Sequence, residues 1–339
     1  MRKKKNQTVA DLGEHALLAL IQKKFSKKNV GIDIPIGDDA AVIKMPSRRA
    51  VISCDTQVEN VHFKIGWSNF FDIGCKAAAV NLSDLAAMGA KPRALLLALT
   101  LRPNDLVAEI LSLIQGLTSF GAHYGAPLVG GDISKTAGPL VVAVTVIGEI
   151  AREKPLRRYQ GHVGDKIMVT GTLGDSALGL YLWQHQKRFQ NHKYAKHFMN
   201  KHTRPTPQVR FAMALARTRY IRSATDISDG LARNALHIVR PGTGAWLDAA
   251  KLPLDPTMQT LATKLRLDSR MLALSGGEDY ELVLAVPEKY TQKLLALAQK
   301  CTVRLTEVGH IIKQPGLHVS HMGTKVRLQG HDHFQKLST

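Results

Sequence analysis

Two α+β domains are the architecture that the amino-acid sequence predicts. The chain has 339 residues, which is long enough for two domains. Helical and strand patterns follow one another without the strict alternation that is typical of a doubly wound sheet. A polar, Arg-rich connector occupies 152–164, and a new series of elements starts after it. We therefore expect a first domain over 1–150 and a second over 151–339, with the boundary near 150–160.

The first domain begins with an amphipathic helix over 8–24, for which Thr8 or Asp11 is the expected N-cap. A second helix is expected from a capping Asp72 to Met88, and the glycine after it supplies the C-terminal stop. Short apolar or alternating runs between turn residues predict the strands. The remaining elements are strands at 40–44, 50–55, 94–101, 126–129 and 139–149 and a helix at 103–124.

The second domain follows the same rules of periodicity. Its predicted strands lie at 166–170, 244–248, 280–286, 303–312 and 324–328. Its predicted helices lie at 175–187, 207–218, 229–239, 256–266 and 288–300. The Lys- and His-rich stretch 184–204 is interpreted as a solvated surface.

Basic residues outnumber acidic ones by 46 to 27, so the formal net charge is +19. Such a charge fits nucleic-acid binding or a general attraction for anionic ligands. The basic residues are spread along the chain, and no zinc-finger spacing or aromatic RNA-binding motif accompanies them. We favour a basic proteome or a general attraction for anionic ligands over nucleic-acid binding, and we expect no nucleic-acid partner.

The cysteines Cys54, Cys75 and Cys301 are odd in number and lack the spacing of zinc or thioredoxin motifs, which fits a reduced, cytoplasmic compartment. The basic start of the chain resembles that of a signal peptide, but the apolar run that follows, 16–21, is too short. The apolar run 94–101 is also too short to span a bilayer. We expect a cytoplasmic protein that is not inserted in a membrane.

The acidic residues are few, and they recur beside glycines and other small residues. These clusters are Gly37-Asp38-Asp39, Cys54-Asp55-Thr56, Asn81-Leu82-Ser83-Asp84, Gly130-Gly131-Asp132, Asp226-Ile227-Ser228-Asp229-Gly230 and Gly276-Gly277-Glu278-Asp279. Magnesium takes oxygen ligands and commonly sits between one or two carboxylates and the phosphates of a substrate. The pattern therefore indicates magnesium-dependent phosphate chemistry.

Two of these clusters have plain structural alternatives. Asn81 and Asp84 lie one turn apart on the helix 72–88, so they share a face. The alternative is that Asp84 faces solvent. Gly130-Gly131-Asp132 follows a short predicted strand, where glycines let the backbone approach a ligand. The alternative there is an ordinary turn.

The segment 226–230 has a similar alternative, because Ser228 or Asp229 is a good N-cap for the helix that follows. In the functional interpretation, Asp226 and Asp229 both bind metal. Capping explains one of these acids but not both, so we favour the functional interpretation.

Motifs of other nucleotide-binding proteins are absent from the sequence, including the P-loop, the Gly-x-Gly-x-x-Gly fingerprint and the protein-kinase motifs. The closest to a glycine-rich phosphate loop is 171–176, which we interpret as a strand-to-helix turn capped by Asp175. No Ser–His or Cys–His dyad is obvious.

Six motifs in order resemble those of the thiamine-monophosphate kinase family. The most specific is the run 79–90, which reads Ala-Val-Asn-Leu-Ser-Asp-Leu-Ala-Ala-Met-Gly-Ala. The others are Ile36-Gly37-Asp38-Asp39-Ala40-Ala41-Val42, Ser53-Cys54-Asp55-Thr56 with His62-Phe63, Gly130-Gly131-Asp132, Asp226-Ile227-Ser228-Asp229-Gly230-Leu231 and Ser275-Gly276-Gly277-Glu278-Asp279-Tyr280-Glu281-Leu282. The resemblance covers about 12–334, nearly the whole chain.

The resemblance implies the aminoimidazole ribonucleotide synthetase-like fold, which has two α+β domains. It implies a homodimer in which two N-terminal domains pair into a barrel-like sheet, while the C-terminal domain completes the nucleotide and substrate site. The implied reaction is the ATP-dependent phosphorylation of thiamine monophosphate to thiamine diphosphate, with several Mg²⁺ ions and direct in-line transfer.

The resemblance also implies roles for individual residues. The implied metal ligands are Asp39, Ser53, Cys54, Asp55, Asp84, Asp132, Asp226 and Asp229, of which Asp55, Asp84, Asp132 and Asp229 are the catalytic candidates. The implied ATP contacts are Tyr124, Gly131, Asp132, Arg158 and Ser228. The implied contacts to the thiamine substrate are His62, Glu278 and His331.

Two residues depart from the family pattern. Cys54 stands where the family has Thr, and because a thiol is a poor magnesium ligand, only the backbone carbonyl of Cys54 can serve there. His331 stands where the family has Tyr or Trp against the substrate ring, and an imidazole offers less stacking surface.

Other members of the superfamily fit less well. A selenophosphate synthetase needs a reactive Cys or selenocysteine near its first glycine-rich segment, and the residues before Asp38 contain none. A hydrogenase-maturation carbamoyl dehydratase ends in Cys, whereas this chain ends in Thr339. Aminoimidazole ribonucleotide synthetase lacks the motif 275–282. A basic nucleic-acid-binding protein is the alternative from another class.

Overall fold

The computed structural model describes residues 7–26, 31–34, 42–45, 49–150, 154–189 and 193–320. These residues form two compact units, the first within 7–150 and the second within 154–320, except that the short segment 86–89 belongs with the second. Both units combine helices with a mainly antiparallel sheet, so the predicted α+β class is confirmed.

The first unit opens with two short helices and continues as a mixture of strands and helices. Its elements are α1 (Val9–Leu12), α2 (Glu14–Phe25), β1 (Ile32–Ile34), β2 (Val42–Ile43), β3 (Ala50–Val58), α3 (Phe70–Met88), β4 (Lys91–Leu101), α4 (Val107–His123), β5 (Leu128–Lys135) and β6 (Val141–Glu149). Thr8 caps α1 in a capping box with Asp11, so the first of the two expected N-caps is confirmed.

The main sheet of this unit has the strand order β3-β6-β4-β5, with β4 and β5 parallel and the other pairs antiparallel. One face is buried under helices. The two helices α3 and α4 lie so close together that a Cβ at Gly74 would stand 1.9 Å from the carbonyl oxygen of Leu113. On the other face Ile52 of β3 is 65% exposed, so only one side of this sheet is covered by the described residues.

The N-cap of α3 is Asn69 and not the predicted Asp72. The Asn69 carboxamide oxygen accepts a hydrogen bond from the backbone N–H of Asp72 at 2.8 Å. Asp72 therefore lies in the first helical turn. Its negative charge interacts favourably with the helix dipole there, but its side chain does not cap the helix. Asn is as good a cap as Asp, so local preference alone does not separate the two.

The motif Gly130-Gly131-Asp132 lies inside strand β5, whereas the sequence predicts that it follows a strand ending at 129. The alternative of an ordinary turn is wrong. The parallel pairing with β4 shifts register before this point, where Leu95 pairs with Leu128 and Leu96 with Gly130. A Cβ at Gly131 would stand 1.8 Å from the carbonyl oxygen of Leu97. The glycine is thus needed for the close approach of a neighbouring strand.

The second unit has a larger sheet with helices packed against it. Its elements are β7 (Lys166–Thr170), α5 (Asp175–Gln184), α6 (Gln186–Phe189), α7 (Ala195–Thr203), α8 (Val209–Ala216), β8 (Ser223–Asp226), α9 (Leu231–His237), β9 (Gly244–Asp248), α10 (Pro256–Lys264), α11 (Ser269–Ser275), β10 (Leu282–Val286), α12 (Thr291–Lys300), β11 (Leu305–Ile312) and β12 (Gly316–Ser320). The strand order is β12-β9-β11-β7-β10-β8, and only the β12–β9 pair is parallel within the part of the chain that the structure describes.

The Lys- and His-rich stretch is not merely a solvated surface, because it contains helix α7. Ala195, Phe198, Met199 and His202 are buried, and their spacing places them on one helical face. This face packs against α5, where a Cβ at Gly179 would stand 2.1 Å from the carbonyl oxygen of Phe198. Helix α11 and strand β12 were also not predicted, and the predicted strand 324–328 lies outside the described residues.

Within the described ranges, no helix is both long enough and apolar enough to cross a bilayer.

Candidate active site

Ser53 and Asp84 form the closest polar pair among the predicted site residues of the first unit. The Ser53 hydroxyl donates a 2.5 Å hydrogen bond to Oδ2 of Asp84, which joins strand β3 to helix α3. One turn earlier on α3, Oδ1 of Asn81 accepts a hydrogen bond from the backbone N–H of Asp55 at 3.1 Å. The expected shared face of Asn81 and Asp84 is therefore turned towards β3, and Asp84 does not simply face solvent.

Alternation along β3 separates the neighbours of this pair. Ser53 and Asp55 are half-buried on the side of α3, whereas Cys54 between them is exposed on the open side of the sheet. The thiol of Cys54 thus points away from the Ser53–Asp84 pair. The thiol is therefore not placed to act as a ligand beside that pair, and the role of the Cys54 backbone stays a prediction.

Asp132 lies on strand β5, at the opposite edge of the sheet from β3. It pairs with Ala98 of β4, and both are exposed on the same open face as Cys54. The structure of one chain therefore does not bring Asp132 to the Ser53–Asp84 pair.

His62 occupies the turn that follows β3, and its ring is fixed by the backbone. Nδ1 accepts a hydrogen bond from the N–H of Val58 at 3.1 Å, so in the neutral ring the proton is on Nε2. The buried Lys76 of α3 donates from Nζ to the carbonyl oxygen of His62 at 3.3 Å. Two contacts thus hold the position of His62.

Tyr124 follows α4 as its C-cap and packs its ring against Phe120 and His123. It is partly exposed.

In the second unit, Asp226 ends strand β8 and is buried. The Arg158 guanidinium lies beside it, with one terminal nitrogen 3.8 Å from Oδ1 of Asp226 and Nε donating to Oγ1 of Thr225 at 3.0 Å. The side chain of Arg158 is 47% exposed. The guanidinium is therefore oriented by β8 and still reaches solvent.

Neither Ser228 nor Asp229 caps a helix, so the capping alternative is wrong. Helix α9 starts later than predicted, and Gly230 takes the N-cap position without a side-chain capping bond. Asp229 instead lies 3.7 Å from Nε of Arg233, and its own N–H donates to Oδ1 of Asn234 at 3.0 Å. The carboxylate of Asp229 is thus not engaged by a helix terminus.

The motif around Glu278 folds directly over the Ser228 loop. Backbone bonds run from the N–H of Glu278 to the carbonyl of Ser228 at 2.7 Å and from the N–H of Tyr280 to the carbonyl of Ile227 at 2.9 Å. A Cβ at Gly277 would stand 2.3 Å from the Ser228 carbonyl oxygen, so only glycine fits. The structure therefore brings Asp226, Ser228, Asp229 and Glu278 into one region.

Glu278 and Tyr280 both have left-handed backbone conformations, with φ of 65° and 53°. Such conformations are costly for residues other than glycine and cluster at functional sites. The carboxylate of Glu278 meets the buried imidazole of His202, with Oε2 and Nδ1 3.3 Å apart. Oγ of Ser176 lies 3.1 Å from the same nitrogen, so the second unit does contain a Ser–His contact that sequence inspection missed.

Asp279 provides the helix cap that was expected from Asp175. Its two carboxylate oxygens accept hydrogen bonds from the N–H groups of Gly174 and Ser176, at 2.8 and 3.2 Å. Burial raises the pKa of Asp279 well above its usual range, against these two hydrogen bonds, which lower it. The start of α5 already holds a carboxylate, so it does not work as a phosphate loop.

Two further acids beside α5 are buried. Burial raises the pKa of Asp175, whose carboxylate accepts a hydrogen bond from Oγ1 of Thr172 at 2.6 Å. Burial also raises the pKa of Glu281 to about 7, although Oγ1 of Thr170 donates to it at 2.5 Å. Hydrogen bonds from Thr172 and Thr170 hold these two acids beside α5, and the protonation of Glu281 changes near neutral pH.

The donor atoms suit a hard cation, since hydroxyl and carboxylate oxygens are the ligands that magnesium takes. Ser53 and Asp84 place two such oxygens at one point. No group of three His, Cys, Asp or Glu side chains is gathered in a metal-binding arrangement within the described residues. A pair of oxygen ligands such as Ser53 and Asp84 suits a magnesium ion that completes its coordination shell with phosphates and water. Asp39 and His331 lie outside the described residues.

Sequence reasoning did not single out two polar residues that contact proposed site residues: Lys76 beside His62 in the first unit and His202 beside Glu278 in the second. Each is buried in a helix. Their common signal is a polar side chain on an otherwise apolar helical face, which requires a partner.

Comparison with known proteins places the chain in a family. Models of the AIR synthase related protein family match at 37–150 for the N-terminal domain and at 162–321 for the C-terminal domain. The thiamine-monophosphate kinase of Escherichia coli K12 is 37% identical over 328 residues, which are 95% of this chain and 98% of that protein.

Solved structures agree with this assignment. The crystal structure of thiamine-monophosphate kinase from Stenotrophomonas maltophilia K279a has a TM-score of 0.79 and 35% identity, covering 89% of this chain and 94% of that one. AaThiL complexed with AMPPCP and TMP has a TM-score of 0.76 and 30% identity, covering 98% and 99%. The predicted aminoimidazole ribonucleotide synthetase-like fold is thereby confirmed, and this chain belongs to the thiamine-monophosphate kinase family of AIR synthase related proteins.

Proposed function

We propose that this protein phosphorylates thiamine monophosphate to thiamine diphosphate with ATP as the phosphoryl donor. The observation that carries the proposal is the Ser53–Asp84 pair beside Asp55, which supplies hard oxygen ligands in a chain of this family. A structurally similar relative is known in complex with AMPPCP and TMP. The motifs that relate the chain to this family extend over both units.

The acceptor chemistry needs no general base from the protein. A phosphate monoester has a second pKa near 6, so at neutral pH it is already largely a dianion and a competent nucleophile. The difficulty is the repulsion between two polyanions, and positioning with electrostatic stabilisation supplies most of the catalysis in such transfers. The Ser176–His202 contact is buried, and the reaction does not need it as a general base.

We propose that Mg²⁺ is held by the oxygen ligands described above. Ser53, Asp55 and Asp84 would hold it in the first unit, and Asp226 and Asp229 in the second, with the Cys54 carbonyl, Asp39 and Asp132 as further ligands. Bound magnesium would neutralise the charge that develops between donor and acceptor phosphates. Asn81 keeps the Asp55 backbone against α3, which fixes the direction of the Asp55 side chain.

Arg158 is proposed to bind the triphosphate of ATP. Thr225 and Asp226 orient its guanidinium, and about half of the side chain is exposed, so it can meet a charged ligand. Ser228, Gly131, Asp132 and Tyr124 are the other proposed nucleotide contacts. His62 and Glu278, with His331, are the proposed contacts to thiamine monophosphate.

A homodimer is proposed from the open face of the first sheet. Ile52 pairs with Ile147, and Cys54 pairs with Thr145, which in turn pairs with Leu96 on the next strand. These side chains form a mixed apolar surface that the described helices leave uncovered. A second copy of this surface is a suitable occupant, and closure of two such sheets into a barrel also protects their edges.

We propose a cytoplasmic location for this enzyme. All three cysteines lie within the described residues and none forms a disulfide, as is usual in a reducing compartment.

The direct test is an assay of the purified protein with ATP, Mg²⁺ and thiamine monophosphate, followed by separation of thiamine phosphates. Thiamine diphosphate should form in equal amount to ADP, and EDTA should abolish it. Thiamine itself is the control acceptor and should give no product. ADP release that does not depend on thiamine monophosphate would contradict the proposal.

Single-turnover incubation with ATP labelled in the γ-phosphate tests the in-line step. All label should move to thiamine diphosphate. Label that stays on acid-precipitated protein would show a phosphoenzyme and contradict direct transfer.

A further inference from the structure

Helix α7 carries a buried imidazole that has no role in the chemistry proposed above. His202 is 5% exposed, and its Nδ1 lies 3.1 Å from Oγ of Ser176 and 3.3 Å from Oε2 of Glu278. Burying a polar ring destabilises the folded protein unless the ring is hydrogen-bonded. Both contacts involve the same nitrogen, and one of them reaches the proposed substrate site.

We propose that His202 is a positioning residue that holds the carboxylate of Glu278 in the orientation that binds thiamine monophosphate. This inference rests on the proposed function, because Glu278 is assigned to the substrate there. The carboxylate faces a ligand whose thiazolium ring is cationic and whose aminopyrimidine carries N–H donors. His202 itself does not need to touch the substrate.

The tautomer follows from the chemistry of the partners. An ionised carboxylate only accepts hydrogen bonds, so the nitrogen beside Glu278 must carry a proton. Nδ1–H then donates to Oε2 of Glu278 and is shared with Oγ of Ser176. A hydrogen bond to a charged group is stronger than one between neutral groups, so this contact can select one rotamer of Glu278.

The neighbouring groups are held in place on both sides of the contact. The backbone of Glu278 is bound to Ser228, and its side chain is 26% exposed. Ser176 is fixed because its N–H donates to Asp279. His202 therefore connects a rigid helix start to a carboxylate that still reaches solvent.

A nucleophilic Ser–His–acid relay is excluded by the same geometry. Such a relay uses one ring nitrogen for the serine and the other for the acid. Here Ser176 and Glu278 both meet Nδ1, and Ser176 is 1% exposed on α5. The arrangement can orient a carboxylate, but it cannot pass a proton from the serine through the ring to the acid.

The experiment compares three substitutions of one residue. His202→Leu removes the N–H, His202→Asn keeps an N–H at the same number of bonds from Cβ as Nδ1, and His202→Gln places it one bond further. His197→Asn is the matched control, because His197 is exposed on the same helix. KM for thiamine monophosphate, KM for ATP, kcat and the melting temperature are measured for each variant and for the wild type.

We expect the KM for thiamine monophosphate to rise about tenfold in His202→Leu and His202→Gln, with the KM for ATP within about twofold of wild type. His202→Asn should recover most of the loss, and His197→Asn should match the wild type. If His202→Leu does not fold, the comparison of Gln with Asn carries the test.

An unchanged KM for thiamine monophosphate in His202→Leu, or in His202→Gln where the Leu variant does not fold, would overturn the inference. A loss in His202→Asn equal to that in His202→Gln would also overturn it, since burial alone would then explain the residue. A wild-type protein that does not phosphorylate thiamine monophosphate would instead contradict the proposed function, so the two failures are distinguishable.

Discussion

The backbone N–H of Glu278 donates a 2.7 Å hydrogen bond to the carbonyl oxygen of Ser228, and this bond joins two motifs that are far apart in the chain. Because of this bond, Ser228, a proposed nucleotide contact, and Glu278, a proposed substrate contact, cannot move independently of each other. The adjacent glycine makes the contact possible, because no Cβ fits at that point.

Gly277→Ala should separate these two motifs. The added Cβ would stand 2.3 Å from the Ser228 carbonyl oxygen, so the loop must shift. We expect the free energy of unfolding to fall by about 2 kcal/mol and kinase activity to fall with it. Chemical denaturation and the kinase assay measure both. Gly138→Ala is the control, since its nearest neighbour would be 3.4 Å away; equal stability of the two variants would contradict the steric argument.

Asp84→Asn should remove turnover while the fold remains. The substitution keeps the shape of the side chain but removes the charge that faces the Ser53 hydroxyl. Because a metal ligand contributes several kcal/mol to transition-state stabilisation, we expect kcat to fall by about 100-fold or more. Circular dichroism should stay unchanged. Glu288→Gln, at a carboxylate that is 80% exposed, controls for the loss of one charge. Near-normal turnover in Asp84→Asn would disprove the metal assignment.

Glu281 should make stability depend on pH. Burial raises the pKa of its carboxyl from 4.5 to about 7, so between these values the folded state binds more protons than the unfolded state. The free energy of unfolding therefore falls as pH rises from 4.5 to 7, by about 3 kcal/mol from this group alone. Below pH 4.5 both states are protonated, and the contribution is constant.

Glu281→Gln tests this dependence, because the amide is neutral at every pH. Urea unfolding between pH 5 and pH 8 should show a smaller decline for the variant than for the wild type. The neutral amide should also make the variant the more stable protein at pH 8, provided that it keeps the hydrogen bond to Thr170. Parallel curves for the two proteins would contradict the raised pKa.

Ile52→Glu should weaken the proposed homodimer. The charge would lie on the open face of the sheet, where Ile52 pairs with Ile147. We expect light scattering after gel filtration to show a monomer at concentrations where the wild type is a dimer. Val61 is exposed to a similar degree, 62%, but lies in the turn after β3, so Val61→Glu should remain dimeric. Equal behaviour of both variants would argue against this face.

Local sequence signals predicted the elements whose residues depend mainly on their neighbours in the chain. Strand β9 was predicted with the bounds 244–248 that it has, because turn residues flank its apolar run. The sharing of one face by Asn81 and Asp84 followed from helical spacing alone. The motifs of the candidate site were recognisable for the same reason, since each is a short contiguous run.

Long-range partners account for what the sequence did not reveal. The cap of α5 comes from Asp279, which no local rule connects with Gly174. The Gly-Gly-Asp motif is strand because β4 pairs with it, and glycine otherwise favours a turn. Helix α7 was missed because its exposed Lys and His residues hide the buried positions of its other face. His202 was missed with it.

The alternation of side chains between the two faces of β3 limits the insertions and deletions that the chain tolerates. One side of this strand bears Ser53 and Asp55, and the other bears Ile52 and Cys54. A single inserted residue before position 53 that slipped the pairing with β6 would exchange the two sides, burying a thiol where a ligand belongs and moving a carboxylate to the apolar surface. Insertions and deletions in this strand should therefore be removed by selection, while the exposed turn 137–139 between β5 and β6 can vary in length.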